Sequence, residues 1–368
     1  MAEFIKGRAL SEGFFFDAAK PLLDAHFPDL VYSAGLLGFG SDVLGYDDST
    51  STDHMWGPRF YLFLRGDDLK RRDEILRALS ESLPRTYKGY SVHFSAPEPG
   101  GIGIRHMQPA DAGPVSPLIF ICSFDDYLDQ YLGTHDLEHL TAADWLAFSE
   151  HRLLALNAGK LFVDGLQIQK RLEPIRFYPK DIWLYLIASN WSLIAEEQAF
   201  VKRCAVVGDA LGSKLVCARI AERLMRLAFL YCRRYAPYSK WFGTAFAQLP
   251  IDPRIRAAIE AAVGADTIEV REAQIVLAQK RMADWHNSLG ITAPIDVRVE
   301  LYYDRDIQVI YADKIAGAVH DALGASPLAQ LPLIGTLSEV ANFTVLYDHP
   351  QHRARIQSLF ALIEDGAQ

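Results

Sequence analysis

Positive charge is in short supply in this chain. The 37 lysines and arginines stand against 46 aspartates and glutamates, which gives a formal net charge of −9. Because a protein that follows a long stretch of DNA or RNA needs a basic surface, this balance argues against a long nucleic-acid footprint. An acidic surface suits a cationic small substrate or serves solubility.

Long apolar runs and clustered cysteines are also absent. No stretch of about eighteen uncharged apolar residues occurs, so no membrane-spanning helix is expected. The first residues, Met-Ala-Glu-Phe-Ile-Lys-Gly-Arg, lack the apolar core of a secretion signal. The four cysteines, at positions 122, 204, 217 and 232, are scattered, which favours reduced core thiols over disulfides or a zinc site. These features predict a cytoplasmic protein without a membrane partner.

The length and apolar content predict a large globular protein of more than one domain. The chain has 368 residues, and half of them are hydrophobic. Alternation of strand and helix patterns predicts a mixed sheet with helices in residues 1–135, and helical patterns then dominate residues 136–290. Residues 291–368 are predicted to form a small α+β segment with a hairpin turned at Asp304-Arg305. The fold class is therefore expected to be α+β.

Apolar runs and capping residues predict the individual elements. The strands are expected at residues 30–37, 59–64, 91–94, 102–107, 118–123, 297–303 and 307–311. The main helices are expected at residues 11–25, 67–83, from 141, from 179, and at 211–235, 257–263, 268–289, 312–323 and 350–364.

The segment from Gly38 to Arg59 carries the clearest chemical signal. A turn, Gly40-Ser41, follows the apolar run at 30–37. Glycine admits positive φ and close approach of a ligand, and N–H groups from Ser41 onward can bind phosphate oxygens. Asp53 follows twelve residues after Ser41, near the entry of the next predicted strand. A magnesium ion at this place would bridge Asp53 and the phosphates of a nucleoside triphosphate.

This layout resembles the nucleotidyltransferase superfamily, whose polymerase-β-like fold is shared by DNA polymerase β and the kanamycin and lincosamide nucleotidyltransferases. Their pattern is an apolar strand, Gly-Ser, a short connection, and then Asp-x-Asp or Asp-x-Glu on the next strand. Longer strings are similar to a bacterial branch of the superfamily that is catalogued as a domain of unknown function. These strings are 40–59, Arg176–Trp183, Arg234–Phe246 and Tyr302–Arg305.

The resemblance implies a nucleotidyltransferase-like domain at 1–135 and a helical substrate domain at 136–290. It implies magnesium-dependent transfer of a nucleoside monophosphate from ATP, or another nucleoside triphosphate, to a hydroxyl or amine of a small molecule or protein. Gly40, Ser41 and Arg59 are then expected to contact the nucleotide. Asp53 is expected to be the metal ligand and a catalytic residue.

The antibiotic-modifying members of the superfamily place a basic side chain and a glutamate from a helical bundle over the nucleotide. By that analogy, Lys214 or Lys240 is expected to neutralise phosphate charge. Glu196 or Glu197 is expected to accept the proton of the acceptor hydroxyl.

The sequence departs from the superfamily pattern at the metal ligands. Met55 occupies the place of the second carboxylate, and a thioether is a poor ligand for a hard cation. The strand at 118–123 contains no acid, so a third carboxylate would have to come from elsewhere. The candidates are Asp42, Asp47, Asp48, Asp111, Asp125 and Asp126.

These departures leave other functions open. A catalytically depleted module that binds nucleotide or a partner protein is the alternative to an active transferase. A third possibility is a fold of this type recruited as an antitoxin or partner-binding protein. His54 is expected to be partly buried and structural, because no cysteine or second histidine stands at a ligand spacing.

Overall fold

The computed structural model describes residues 4–99, 103–341 and 352–361. The chain divides into two units, of which the first comprises residues 1–139 and 152–176 and the second residues 140–151 and 177–368. Across the described ranges, every helix is too short or too polar to span a bilayer. All four cysteines carry free thiols, but only Cys217 is buried, so the expectation of a core thiol holds for that residue alone.

Six strands occur in the described part of the first unit. They are β1 (Tyr32–Leu36), β2 (Arg59–Leu64), β3 (Thr86–Tyr87), β4 (Tyr90–Ser91), β5 (Leu118–Cys122) and β6 (Lys160–Asp164). Four of them form one sheet in the order β5-β2-β1-β6. Strand β1 is antiparallel to both neighbours, whereas β2 and β5 are parallel. The predicted mixed sheet is confirmed. Together with the many helices, this sheet places the protein in the predicted α+β class.

The helices are spread over both units. In chain order they are α1 (Gly7–Phe14), α2 (Lys20–His26), α3 (Ser41–Leu44), α4 (Arg72–Ser82), α5 (Phe124–Leu132), α6 (Ala142–Ala147), α7 (Glu150–Ala158), α8 (Ile168–Arg171), α9 (Lys180–Glu197), α10 (Phe200–Val206), α11 (Ala210–Tyr231), α12 (Ser239–Ala247), α13 (Pro253–Val263), α14 (Ile268–Ser288), α15 (Asp313–Asp321), α16 (Leu337–Val340) and α17 (Arg353–Ala361).

The core of the first unit forms where the opening helices pack on one face of the sheet. The helix predicted at 11–25 is divided, because a π-helical turn at Phe15–Ala19 separates α1 from α2. Phe14 and Phe15 are fully buried, and the rings of both pack against Phe60 of β2. Burial of one such side chain contributes roughly 1.5–3 kcal/mol.

Within the region 136–290, where helical patterns dominate, residues 160–164 form a strand, β6, that the sequence patterns did not predict. This strand pairs with β1, with a register shift between Ala34 and Gly35. A Cβ atom on Gly35 would lie 2.5 Å from the carbonyl oxygen of Lys160, so the glycine permits the close approach of the two strands. Pairing with a strand far away in sequence therefore overrides the helical pattern on either side.

The second unit is mainly helical, as expected. Its predicted helix starts are confirmed at Thr141, which forms a capping box with Asp144, and at Pro179, which precedes α9. Helices α9, α11 and α14 pack together, and a polar chain crosses their interior. The indole of Trp191 donates to the Tyr231 hydroxyl over 2.7 Å, and that hydroxyl lies 3.1 Å from Nδ1 of His286.

Several predicted strands are shorter than expected. In place of strands at 91–94 and 102–107 there is β4 and a single bridge between Phe94 and Met107, and residue 102 lies outside the described residues. The predicted C-terminal hairpin is confirmed as β7 (Glu300–Leu301) and β8 (Gln308–Val309). The helix predicted at 350–364 is α17, and residues 350, 351 and 362–364 lie outside the described residues.

Candidate functional site

The candidate site lies at the edge of the sheet where β1 ends and β2 begins. Because these strands are antiparallel, with Gly35 opposite Tyr61, the turn after β1 and the segment before β2 meet at the same edge. Phe39, in the turn, packs against the apolar cluster that contains Met55. The structure therefore brings the predicted phosphate turn close to the segment that carries Asp53.

The turn at Gly38–Ser41 has the backbone conformation that its glycines predict. Gly38 and Gly40 have φ angles of 86° and 117°, and Ser41 opens the one-turn helix α3 with its side chain partly exposed. A Cβ atom on Gly40 would collide with the carboxylate of Asp42 and the guanidinium of Arg59. The glycine is therefore needed by the folded protein itself, whether or not a ligand binds.

Arg59 and Asp42 form a buried ion pair beneath this turn. The guanidinium Nε lies 3.1 Å from Asp42 Oδ2 and Nη2 lies 2.9 Å from Oδ1, while Nη2 also donates to the Phe39 carbonyl over 2.7 Å. The exposed fractions of the two side chains are 0% and 2%. Arg59, predicted to contact the nucleotide, is thus enclosed and already neutralised, so a phosphate would reach it only by displacing Asp42.

Asp47 anchors the start of α1. Its Oδ2 atom accepts hydrogen bonds from the Gly7 N–H over 2.6 Å and from the Trp56 indole over 3.1 Å. The side chain is 1% exposed and lies 3.7 Å from the Lys6 ammonium. Asp48 is exposed and caps its own turn through the N–H and hydroxyl of Thr50, as turn chemistry predicts. Asp47 is therefore a structural residue and not an open metal ligand.

Asp53 is exposed, unlike Asp42 and Asp47. Its Oδ2 atom lies 2.9 Å from Nδ1 of His54, and the side chains of Asp53 and His54 are 67% and 48% exposed. Burial acts to raise the pKa of Asp53, but the hydrogen bonds from His54 and from the main chain outweigh it, and the pKa lies below its ordinary value. The carboxylate is therefore ionised at neutral pH. The expectation that His54 is partly buried is wrong.

His106, oriented by Glu98, contacts the main chain at Asp53, and no sequence pattern indicates this contact. His106 donates from Nδ1 to the Asp53 carbonyl oxygen over 2.8 Å and from Nε2 to Glu98 over 2.9 Å. These two hydrogen bonds raise the pKa of His106, because both are strongest when the imidazole carries two protons. The contact holds the Asp53 loop against the segment that precedes β5.

Met55 points into the protein interior. Its side chain is 6% exposed and packs with Phe94 and Leu118, and the sulfur accepts a hydrogen bond from the Arg105 N–H over 3.2 Å. The backbone at Met55 has a φ of 51°, a conformation that is costly for this residue type. Position 55 therefore contributes to packing and offers no oxygen to a metal.

Two of the proposed substitutes for a third carboxylate are excluded by sheet topology. Strand β5 runs parallel to β2 with Leu118 opposite Arg59, so its carboxyl end lies at the other edge of the sheet. Asp125 and Asp126 follow that end, in the first turn of α5. Asp125 also pairs with Arg171, over 2.6 Å. Neither aspartate can share a metal ion with Asp53.

Asp111 is exposed in the connection that precedes β5. Within the described parts of the chain, no group of three or more histidine, cysteine, aspartate or glutamate side chains is arranged to hold a metal. A two-metal centre therefore does not fit the residues present. A single magnesium ion is compatible with them, because such ions are commonly held by one or two carboxylates together with substrate phosphates.

A lysine that the sequence analysis overlooked lies at the same sheet edge. Lys160 opens β6 opposite Leu36, and its Nζ atom pairs with Glu12 of α1 over 2.7 Å. The pair is partly exposed, with 44% of the lysine side chain and 32% of the glutamate side chain accessible. The residue was overlooked because no strand was predicted in its segment.

The remaining predicted site residues lie in the second unit. Glu197 is held by Arg219, whose Nε lies 2.9 Å and 3.0 Å from its two carboxylate oxygens, and Glu196 is exposed. Lys214 is exposed on α11, and Lys240 is exposed on α12 with its ammonium 5.0 Å from the centre of the Trp241 ring. Their roles toward a nucleotide or acceptor stay predictions.

Sequence comparison adds one family match. Residues 145–242 match a family described as a domain of unknown function (DUF4037). Among solved structures, a nucleotidyltransferase-like protein from Exiguobacterium sibiricum is similar over 78% of this chain and 82% of that chain, with 10% sequence identity and a TM-score of 0.32. A likeness this distant carries no argument about the fold. No curated protein shows a significant match to the sequence.

Proposed function

We propose that the first unit binds a nucleoside triphosphate, such as ATP, together with one magnesium ion, in the manner of a nucleotidyltransferase depleted of metal ligands. The observation that carries the proposal is the position of Asp53. This ionised, exposed carboxylate belongs to the segment that enters β2, at the sheet edge where the Gly38–Ser41 turn ends β1.

The residues of this edge suggest how a triphosphate would be held. The Ser41 hydroxyl and the neighbouring N–H groups bind phosphate oxygens, and Asp53 with those oxygens holds the magnesium ion. Lys160 would exchange its contact with Glu12 for a contact with a phosphate. Its positive charge would then stabilise the triphosphate, because a charge-assisted hydrogen bond to phosphate is strong. The ion supplies charge neutralisation of the triphosphate.

The proposal includes nucleotide binding but not nucleotidyl transfer, and the reason is Met55. In-line transfer with two metals requires several carboxylates close together, and Met55 is packed into an apolar cluster where the second would stand. Transfer to a hydroxyl or amine of a small molecule or protein, with Glu196 or Glu197 as base, is the second candidate. It is favoured by the resemblance of the Gly40-Ser41 and Asp53 pattern to the nucleotidyltransferases.

Calorimetry with ATP and magnesium chloride tests the binding proposal. The wild-type protein is expected to bind ATP more tightly with magnesium than without it. Asp53→Asn, which keeps the shape but removes the charge, is expected to weaken magnesium-supported binding about tenfold or more. Asp48→Asn is the matched control and is expected to bind like the wild type. Unchanged binding by Asp53→Asn contradicts the proposal.

Incubation with labelled ATP, magnesium and a panel of hydroxylated and cationic acceptors separates the two candidates. No label is expected to move to an acceptor with the wild-type protein. Label transfer by the wild type would establish a transferase, and Glu196→Gln and Glu197→Gln would then identify its base.

A further inference from the structure

The second unit contains a cavity of about 340 Å³ that none of the predicted site residues lines. It lies among the first turn of α7, the middle of α11, the start of α12, the end of α13 and α16. Its volume falls at the lower end of the range of roughly 300–1,000 Å³ that is typical of small-molecule pockets. The cavity is therefore large enough for a compact ligand.

Most of the cavity wall is apolar. Met225, Tyr238, Phe242, Ile259 and Val263 supply the larger apolar surfaces. Tyr238 is fixed in place, because its hydroxyl accepts a hydrogen bond from the Trp241 indole over 3.0 Å. A ligand in this cavity would need an apolar or aromatic body to replace water favourably.

One side of the cavity carries two carboxylates and a single guanidinium. Arg226 donates from Nε and Nη2 to Glu222 over 3.1 Å and 3.0 Å, and from Nη2 to the Ser338 carbonyl over 3.1 Å. Its Nη1 atom contacts Glu150 over a longer distance of 3.4 Å. Glu222 thus has the shorter contacts with the arginine, and its side chain is 35% exposed, whereas the Glu150 side chain is only 8% exposed.

Glu150 is therefore a buried carboxyl group whose charge is only partly compensated. Burial raises its pKa to about 7, and Glu339 adds to that effect, while Arg226 and a main-chain hydrogen bond from Ala236 offset only part of it. A positive charge brought into the cavity would complete the compensation. A negatively charged ligand would meet two carboxylates there.

We propose that this cavity binds a small ligand that has one primary ammonium group on an apolar or aromatic body. The ammonium group lies against Glu150, and the body lies among Met225, Tyr238 and Phe242. A buried carboxylate is a favourable partner for an ammonium group in a site with little water, because a charge-assisted hydrogen bond is a strong one. The inference is independent of nucleotide binding, because every lining residue belongs to the second unit.

Three probes of nearly the same size test the charge requirement on the full chain. They are 2-phenylethylamine, its neutral analogue 2-phenylethanol and the anion 3-phenylpropionate, with binding measured by calorimetry or ligand-observed NMR. The amine is expected to bind at least about tenfold more tightly than the alcohol, and the anion is expected not to bind. Equal binding of amine and alcohol, or no binding of the amine, overturns the proposal.

Two variants locate the site. Glu150→Gln keeps the shape of the side chain and is expected to weaken amine binding about tenfold or more. Glu260→Gln is the matched control, because Glu260 is exposed on α13 and does not line the cavity. Amine binding by Glu150→Gln that equals that of the control contradicts the proposal.

Ala218→Leu tests the location without touching a charge. Ala218 lines the cavity but is exposed, so the larger side chain narrows the cavity from its rim and is expected to leave the fold intact. Amine binding is expected to fall in this variant, and unchanged binding overturns the proposal even if Glu150→Gln fails to fold. Because the probes contain no phosphate, failure of ATP binding would not alter these outcomes.

Discussion

The buried carboxylates of the two units differ in how completely their charge is compensated. In the first unit, Asp42 receives two hydrogen bonds from Arg59, which has no other acid as a partner among the contacts described for it. In the second unit, Glu150 shares Arg226 with Glu222 and has the longer contact. The charge of a buried acid with its own arginine is compensated within the fold, whereas we propose that an acid with a shared arginine can accept a cationic ligand.

The same contrast applies within the acid-rich segment 38–59. Asp42 and Asp47 are bound by groups of the protein itself, while Asp53 stays exposed. A motif that looks like a cluster of metal ligands in sequence thus contains two buried carboxylates that hold the loop in place and two exposed ones, of which Asp48 caps its own turn. The following predictions test this distinction, beginning with the largest expected effect.

Removal of the arginine from the buried pair should be the most damaging change. Arg59→Ala leaves the Asp42 charge buried without its partner, which is expected to lower the free energy of unfolding by about 3–5 kcal/mol. Denaturant-induced unfolding measures the loss. A loss below about 1 kcal/mol would mean that the pair is not intact in solution.

The double variant Asp42→Leu/Arg59→Met serves as the control for this change. It removes both charges together and is expected to recover a large part of the stability that Arg59→Ala loses. If the double variant is as unstable as the single one, packing and not charge accounts for the effect.

The stability of the second unit should depend on pH through Glu150. Its pKa is raised from 4.5 to about 7, so in this interval the folded protein holds a proton that the unfolded chain has released. The free energy of unfolding is therefore expected to fall as pH rises through the interval, by at most about 1.4 kcal/mol per pH unit. Unfolding measured at several pH values for wild type and Glu150→Gln checks this.

The comparison of wild type with Glu150→Gln is needed because His286 acts in the opposite direction. Burial lowers the pKa of His286 to about 4, so its contribution to stability is lost as pH falls from 6.5 toward that value. His286 is present in both proteins, and the difference between them isolates Glu150. Parallel pH curves for the two proteins would contradict the assignment.

A smaller loss is expected at Asp47. Asp47→Ala leaves the Gly7 N–H and the Trp56 indole without their acceptor, which is expected to cost about 1–3 kcal/mol. The neighbouring Asp48→Ala is expected to cost less, about 0.5–1 kcal/mol, because its bonds to Thr50 are exposed and water replaces the lost acceptor. Equal losses of stability in the two variants, measured by thermal or denaturant unfolding, would contradict the distinction between a buried structural Asp47 and an exposed Asp48.

The smallest effect is expected at the exposed pair of Arg219 and Glu197. Arg219→Ala should alter the free energy of unfolding by less than about 1 kcal/mol, because the arginine side chain is 52% exposed. A larger change in denaturant unfolding would indicate that Glu197 has a structural role beyond this surface contact.

Local patterns in the sequence were sufficient to predict many elements of the fold. The apolar run Arg59–Leu64 was predicted with the bounds it has as β2, and Thr141 and Pro179 marked the starts of helices. Strand β6 was not predicted, because its identity depends on pairing with β1 and not on its own short run of residues. Long-range pairing is not visible in local periodicity.

The residues of the candidate site also fall into two groups, those that local sequence patterns predict and those that only tertiary contacts bring to the site. The sequence identified the Gly40-Ser41 turn and Asp53 from residue types and spacing alone. It did not indicate that Arg59 is enclosed by Asp42, or that His106 contacts the Asp53 loop, because both depend on tertiary contacts. The cavity around Glu150 was missed for the same reason, since its lining comes from several separate helices.

The central claim is that a nucleoside triphosphate binds at the sheet edge formed by the Gly38–Ser41 turn and Asp53. Titration of the full chain with ATP and magnesium, followed through backbone amide chemical shifts in NMR spectra, tests it directly. The account predicts shifts concentrated at Gly38–Ser41 and around Asp53, and smaller shifts in Asp53→Asn at the same ATP and magnesium concentrations. Shifts confined to other segments, or an identical pattern in the variant, would contradict it.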